Sequence, residues 1–372
     1  MVSAERGGKR HKTSLATKFN KALSNYPIVG NHHQPVASLV SKTKKRLPST
    51  QFQKLAAFVS AKIEDGDVRG AVRVAVSDNT LAPFDEESLV ALRKLHPPRA
   101  ATSVNLSQLS SVDRKQNDNT DNKTLILSED DIRAAIKTFP VGSAGGIDGL
   151  RPQHLKDMTS AITGVAGQRL VSSLCKFANM CLSGNVPESV RPVFYGASLC
   201  ALAKKGGGVR PIAVGSTLRR LISKAACRAV RDLAIVKLAP AQLGFGVQHG
   251  AEAVAHSARS FIANIGNGIA LLKIDFTNAF NSLSRDVMLT TIREELPELF
   301  HFVDSCYSSE SFLSFGKYTL FSSEGAQQGD PLGPLLFCIS IMHLVKSLKS
   351  PFNSWFMDDG SIGGDVDSLL AD

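Results

Sequence analysis

In the segment IALLKIDF, Ile269 to Phe276, a short apolar run ends on an acid, Asp275. Its length and content predict a buried β-strand. A carboxylate at the end of such a strand is costly unless it binds a cation or finds hydrogen-bond donors. Downstream, WFMDDGSI, Trp355 to Ile362, places apolar residues on both sides of a short acidic-glycine turn, the pattern of a β-hairpin. Two adjacent acids at a hairpin tip repel each other, and an ordinary hairpin gains nothing from them. A loop-capping Asp or a solvated Asp-Gly turn would explain either segment alone. Together they offer three carboxylates, Asp275, Asp358 and Asp359, on neighbouring strands. Hard oxygen ligands of this kind suit a pair of Mg²⁺ ions, about 3.5–4 Å apart, promoting an in-line displacement at phosphorus.

The rest of the chain sets limits on that reading. With 372 residues and 43% apolar content it has the material for a large buried core. The longest nearly apolar run, Leu332 to Val345, is too short to cross a bilayer and contains Gly333, Pro334 and His343. No N-terminal stretch resembles a signal peptide, so a nuclear or cytoplasmic protein with no membrane partner is expected. The six cysteines, Cys175, Cys181, Cys200, Cys227, Cys306 and Cys338, show no CxxC spacing and mostly sit in apolar stretches. They read as buried reduced thiols rather than a disulfide or zinc framework.

The net charge of +10 is concentrated in one place. Residues 1–50 carry ten Lys/Arg against one acid, Glu5, which leaves 33 basic and 32 acidic residues for everything else. Residues 1–50 read as a disordered basic tail, whose runs Lys9–Lys12 and Lys42–Arg46 suit nuclear localisation or nucleic-acid binding. Phe52, Leu55, Phe58, Val59 and Ile63 fall at helical spacing, and Val68–Val76 and Glu86–Leu95 continue a small helical unit over 51–97. Residues 98–127 form a polar linker. Ser128 then opens a helix with Asp131 three residues on, a capping-box spacing. From there to residue 372, strand-like and helical segments alternate, as in an α+β body.

KIDFTNAF (Lys273–Phe280), EGAQQGDPLGPLLF (Glu324–Phe337) and FMDD (Phe356–Asp359) resemble, in order and spacing, the three palm motifs of reverse transcriptases. Upstream, SAGGIDGLRPQHL (Ser143–Leu155) is similar to a fingers motif of the non-LTR retrotransposon and group II intron enzymes. LCALAKKGGGVRPIAV (Leu199–Val214) resembles the family's fingers hairpin, with Gly206–Gly208 as its turn. The resemblance covers roughly Ser128 to Gly364. It implies the fingers and palm of a right-hand polymerase, with an antiparallel palm sheet packed by helices. It also implies RNA-directed DNA synthesis from dNTPs on an RNA template and DNA primer, with two Mg²⁺ ions and Mn²⁺ as a substitute.

The same resemblance assigns roles. Asp275, Asp358 and Asp359 become the metal-binding catalytic triad. Phe280 stands where the family sets a bulky side chain against the sugar of the incoming nucleotide, although a core Phe is the ordinary alternative. Gln328 and Gly329 border nucleotide and template, and glycine permits close backbone approach. Gly333 and Pro334 suit a capped helix start. Lys204, Lys205 and Arg210 surround the hairpin turn, where basic residues hold the triphosphate, and a guanidinium is best shaped for it. Asn281 and Gln327 depart from the commoner Asp and Pro. A viral RNA-dependent RNA polymerase would instead carry a second acid at position 280 and a Gly-Asp-Asp third motif. Only thirteen residues follow Asp359. A thumb is therefore expected to be absent and primer extension feeble, with a truncated or domesticated nucleic-acid-binding remnant as the alternative.

Overall fold

The computed structural model describes residues 81–99, 124–204 and 207–372, with helical pieces between 56 and 76. The basic tail, most of the polar linker and Lys205 lie outside the described residues. The chain divides into two compact units, residues 1–78 with 140–142, and residues 79–139 with 143–372. In the first, α1 (Val68–Val76) is the longest described helix. The second holds both sheets.

Local sequence explains most element ends. α2 (Glu86–Leu95) starts at Asp85, whose carboxylate accepts from the Ser88 amide at 2.9 Å. α3 (Glu129–Lys137) opens on the expected capping box, with both reciprocal bonds between Ser128 and Asp131 formed. α4 (Pro152–Met158), α5 (Gly164–Leu182) and α6 (Arg191–Phe194) lead into the hairpin of β1 (Ala197–Ala203) and β2 (Val209–Gly215). α7 (Thr217–Ala229), α8 (Arg231–Leu238) and α9 (Gly250–Ala263) precede β3 (Ile269–Asp275). Then come α10 (Ala279–Ser282), α11 (Arg285–Glu295), α12 (Pro297–Tyr307) and the hairpin of β4 (Ser311–Phe315) and β5 (Tyr318–Ser322). The apolar run starting at Leu332 folds as α13 (Gly333–Ser340) and α14 (Met342–Ser347), and α13 is buried almost all round. A last hairpin, β6 (Phe352–Phe356) and β7 (Asp359–Asp365), is followed by α15 (Val366–Ala371).

The architecture is α+β. One sheet is antiparallel and three-stranded, in the order β3-β7-β6. The other has the order β2-β1-β4-β5 and is mixed, because β1 and β4 run parallel. The large core is built mainly from helices, with Trp355 of β6 joining residues such as Leu335 and Phe337 of α13. A smaller core lies against the four-stranded sheet, where Leu89 and Leu92 of α2 pack with Leu199, Ala213 and Phe315. Helix α2, which the sequence grouped with the N-terminal helices, thus packs on the sheet-bearing unit. All six cysteines are free; burial pushes the Cys181 and Cys338 thiols up to about 12, which leaves them unreactive. Among the described residues no helix is long and apolar enough to cross a membrane.

Three local expectations are corrected. β3 is not a buried strand: it pairs on one side only, with β7, and Ile269 and Leu272 are 37% and 47% exposed. The hairpin turn is not Asp-Gly. Phe356 pairs with Asp359, so the two turn residues are Met357 and Asp358, and Gly360 lies within β7 opposite Trp355. A Cβ on Gly360 would sit 2.4 Å from the Trp355 ring, so glycine is required there by packing rather than by a turn. Gly333 is the first residue of α13 rather than its cap, which is Leu332 with no side-chain bond.

Candidate active site

The three-stranded sheet brings the acids together. Asp275 closes β3 and stands opposite Asp359, the first residue of β7. Asp358 is the turn residue beside it. Asp275 and Asp359 are exposed and Asp358 is half-buried. Burial raises the Asp358 carboxyl above its ordinary value, and the negative charges of Asp359 and Asp275 add to the effect, while Arg210 opposes it. Lys273, two residues before Asp275, places its Nζ 3.3 Å from Asp359 Oδ1.

A cleft of about 430 Å³ opens beside these acids. Its wall includes Lys204, Arg210, Asp275, Phe280, Gln328 and Asp358, six of the residues singled out from sequence. Asp359 is not among the lining residues, and neither is Gly329. Lys204 and Arg210 flank the β1–β2 turn, where the Lys204 amide donates to Gly208 O at 3.0 Å. Phe280 does two jobs: its ring stacks on Phe337 with centroids 5.1 Å apart, and it also faces the cleft.

Gly329 answers to the protein's own backbone. Its φ is +126°, and a Cβ would sit 2.4 Å from Ala213 O. Next to it, Gln328 O accepts from the Ala213 amide at 2.7 Å. β2 is a sheet edge, so this amide is free to receive the loop. The bond ties the loop carrying Gln328 to the strand carrying Arg210. The expected close approach is therefore to β2.

Several supporting residues were invisible in the sequence. Arg219 and Arg285 are fully buried and grip the 324–330 loop. Arg219 donates to Gln327 Oε1 and to Asp330 Oδ2, each at 2.7 Å, and Tyr307 donates to the same Asp330 oxygen at 2.6 Å. Burial opposes the Arg219 charge, but Asp330, Tyr307 and Cys306 together outweigh it and the guanidinium stays protonated. Arg285 donates to Gly325 O at 3.0 Å and to Ser322 Oγ at 2.8 Å, and its backbone amide donates to Glu324 Oε1 at 2.6 Å. Burial lowers the Arg285 value to about 10. Gln327, the departure from Pro, is thus a buried member of this network and also donates to Ser311 Oγ at 2.8 Å. Asn281, the departure from Asp, is buried and donates to Asn278 Oδ1 at 3.2 Å. Leu95 of α2 also reaches the cleft, and its carbonyl accepts from Asn278 Nδ2 at 2.9 Å. An Arg in an amphipathic helix reads as surface, so only the folded contacts disclose these roles.

The donor set suits a divalent cation. Carboxylate oxygens are hard ligands, and the mutual repulsion felt at Asp358 is the kind a cation relieves. Among the described residues, no three Asp, Glu, His or Cys side chains already converge as a metal cage. That is compatible with Mg²⁺, which commonly binds through one or two carboxylates plus water and substrate phosphates.

Residues 202–368 match the family described as reverse transcriptase (RNA-dependent DNA polymerase). Two curated relatives are similar over about three fifths of the chain. The SLACS retrotransposable element 132 kDa protein of Trypanosoma brucei gambiense is 27% identical over 239 residues, 61% of this chain and 19% of that protein. The retrovirus-related Pol polyprotein from the type-2 retrotransposable element R2DM of Drosophila melanogaster is 28% identical over 250 residues, 60% of this chain and 21% of that protein. The chain spans about a fifth of the length of these relatives.

Proposed function

Because the chain carries a reverse transcriptase domain of the non-LTR retrotransposon kind, we propose that its cleft performs RNA-directed DNA synthesis, adding dNTPs to a primer on an RNA template. The observation that supports this most is the assembly, around one cleft, of two carboxylates, two cations and Phe280 from segments far apart in sequence. In this reading β1, β2 and the loop between them are the fingers hairpin, and β3-β7-β6 is the palm sheet.

Asp275, Asp358 and Asp359 would hold two Mg²⁺ ions. Bound there, the ions supply Lewis acidity that activates a primer 3′-hydroxyl and stabilises the leaving pyrophosphate. The residues of the chain do the rest. Arg210 and Lys204 bind the triphosphate, Arg210 through the planar fork that matches phosphate oxygens. Lys205, outside the described residues, follows Lys204 in the sequence and is proposed for the same task. Phe280, braced by Phe337, leaves no room for a 2′-hydroxyl and so selects deoxynucleotides. Gln328, fixed by its bond to Ala213, borders the nucleotide and template. Gly329 permits that bond by its left-handed φ and missing Cβ.

Single-nucleotide incorporation tests the proposal, using the purified chain with a DNA primer annealed to RNA, one dNTP and Mg²⁺. Incorporation lost on chelation and in Asp358→Ala is the expected result. Incorporation unchanged by Asp358→Ala would place the chemistry elsewhere.

A further inference from the structure

The turn that presents Asp358 is braced by one buried side chain. Gln242 is wholly buried. The backbone around it runs beside β6, with the Trp355 amide donating to Ala241 O at 2.7 Å and the Leu243 amide donating to Trp355 O at 2.8 Å. This lays the Gln242 carboxamide against the hairpin turn. Its Nε2 donates to Met357 O at 3.0 Å, and its Oε1 accepts from the Met357 amide at 2.9 Å. The Gly244 amide donates to the same Oε1 at 2.9 Å. A Cβ on Gly244 would lie 2.3 Å from the Met357 nitrogen, so the approach is as tight as backbone allows.

Met357 needs this support. Its φ is +55°, a left-handed conformation that a two-residue hairpin turn normally gives to glycine, asparagine or aspartate. A side chain held there is strained and persists where the surroundings over-determine it. Gln242 engages both backbone polar groups of Met357, and the next residue is Asp358. A primary amide suits the task because one group donates while the other accepts. Glutamate would lose the donor and bring a buried negative charge toward three acids.

We propose that Gln242 is a positioning residue for the carboxylate site, holding Met357 left-handed and thereby fixing where Asp358 points. The inference rests on the reading of Asp358 as a metal-binding carboxylate. Residues outside a metal's ligand set that orient its ligands commonly change affinity or activity by about 10–100-fold when replaced.

The test measures Mn²⁺ binding by electron paramagnetic resonance on the full chain, alongside thermal melting and single-nucleotide incorporation. Gln242→Met, equal in length and without the polar groups, is expected to bind Mn²⁺ about tenfold more weakly. Its kcat is expected to fall by about tenfold or more, while KM for the dNTP changes less than about threefold. Adding Met357→Gly, which adopts positive φ without strain, is expected to recover part of the Mn²⁺ affinity. Gln242→Asn, with both polar groups one methylene short, gives the same reading where Gln242→Met does not fold. Wild-type Mn²⁺ affinity in a folded Gln242 variant, whatever its melting point, would overturn the positioning role. Wild-type Mn²⁺ binding that is absent, or indifferent to Asp358→Asn, would instead remove the reading of the carboxylates and this inference with it.

Discussion

Asp275 and Asp359 stand directly opposite each other across the β3–β7 ladder. Like charges in this relation destabilise a sheet. Lys273, 3.3 Å from Asp359, offers partial relief, but both side chains are largely exposed and such pairs contribute little. The ladder therefore carries an electrostatic cost that a cation would offset.

Asp358, whose carboxyl is raised by burial first and by the two neighbouring acids second, makes stability respond to pH. A carboxyl raised by folding favours the folded state only while protonated. Its contribution is full below the unfolded value near 3.8 and fades as pH climbs through the raised folded value. Without divalent ions, Asp358→Asn should therefore melt higher than wild type at pH 7, with the gap closing as pH falls. Added Mg²⁺ should narrow the gap at pH 7 by stabilising only the wild type. Melting curves across pH 4–8 check both signs, and a variant that melts lower at neutral pH would contradict them.

The buried Arg219–Asp330 pair should behave as a structural clamp. Arg219→Ala strands a buried carboxylate, so a loss of about 3–5 kcal/mol is expected in urea unfolding. A loss below about 1 kcal/mol would mean that water reaches the site and the pair is not as dry as its contacts indicate.

Two glycines should respond differently to alanine. Gly207, at φ +92° in the hairpin turn, has open space where a Cβ would go, and Gly207→Ala should cost about 1–2 kcal/mol of backbone strain. Gly329→Ala meets the same strain and a collision with Ala213 O, and should cost about 2–6 kcal/mol. Comparing the two in chemical denaturation separates conformational strain from overpacking. Equal losses would show that the loop can leave β2 at little cost.

Phe280→Val should relax sugar discrimination. The kcat/KM ratio for a dNTP over the matching ribonucleotide is expected to drop by about tenfold or more, the scale of 1–3 kcal/mol from a reshaped pocket. Loss of the stack on Phe337 should also lower the melting point. An unchanged ratio in a folded variant would reduce Phe280 to a core residue.

The sequence alone determined the chemistry-bearing residue types and the rough order of elements. Three acids in two apolar segments, a glycine turn beside Lys204 and Arg210, and the Ser128–Asp131 cap are local patterns, and local patterns survive folding because they follow backbone geometry. Tertiary structure decided what packs against what. It made β3 an edge strand, moved the hairpin turn onto Met357 and Asp358, and gave Gly329 to Ala213. It also drew Arg219, Arg285 and Gln242 into the interior, where each bonds backbone or side chains far along the chain. Such residues cannot be found by period or spacing, because a buried polar side chain is tolerated only through its partners, and folding alone selects the partners.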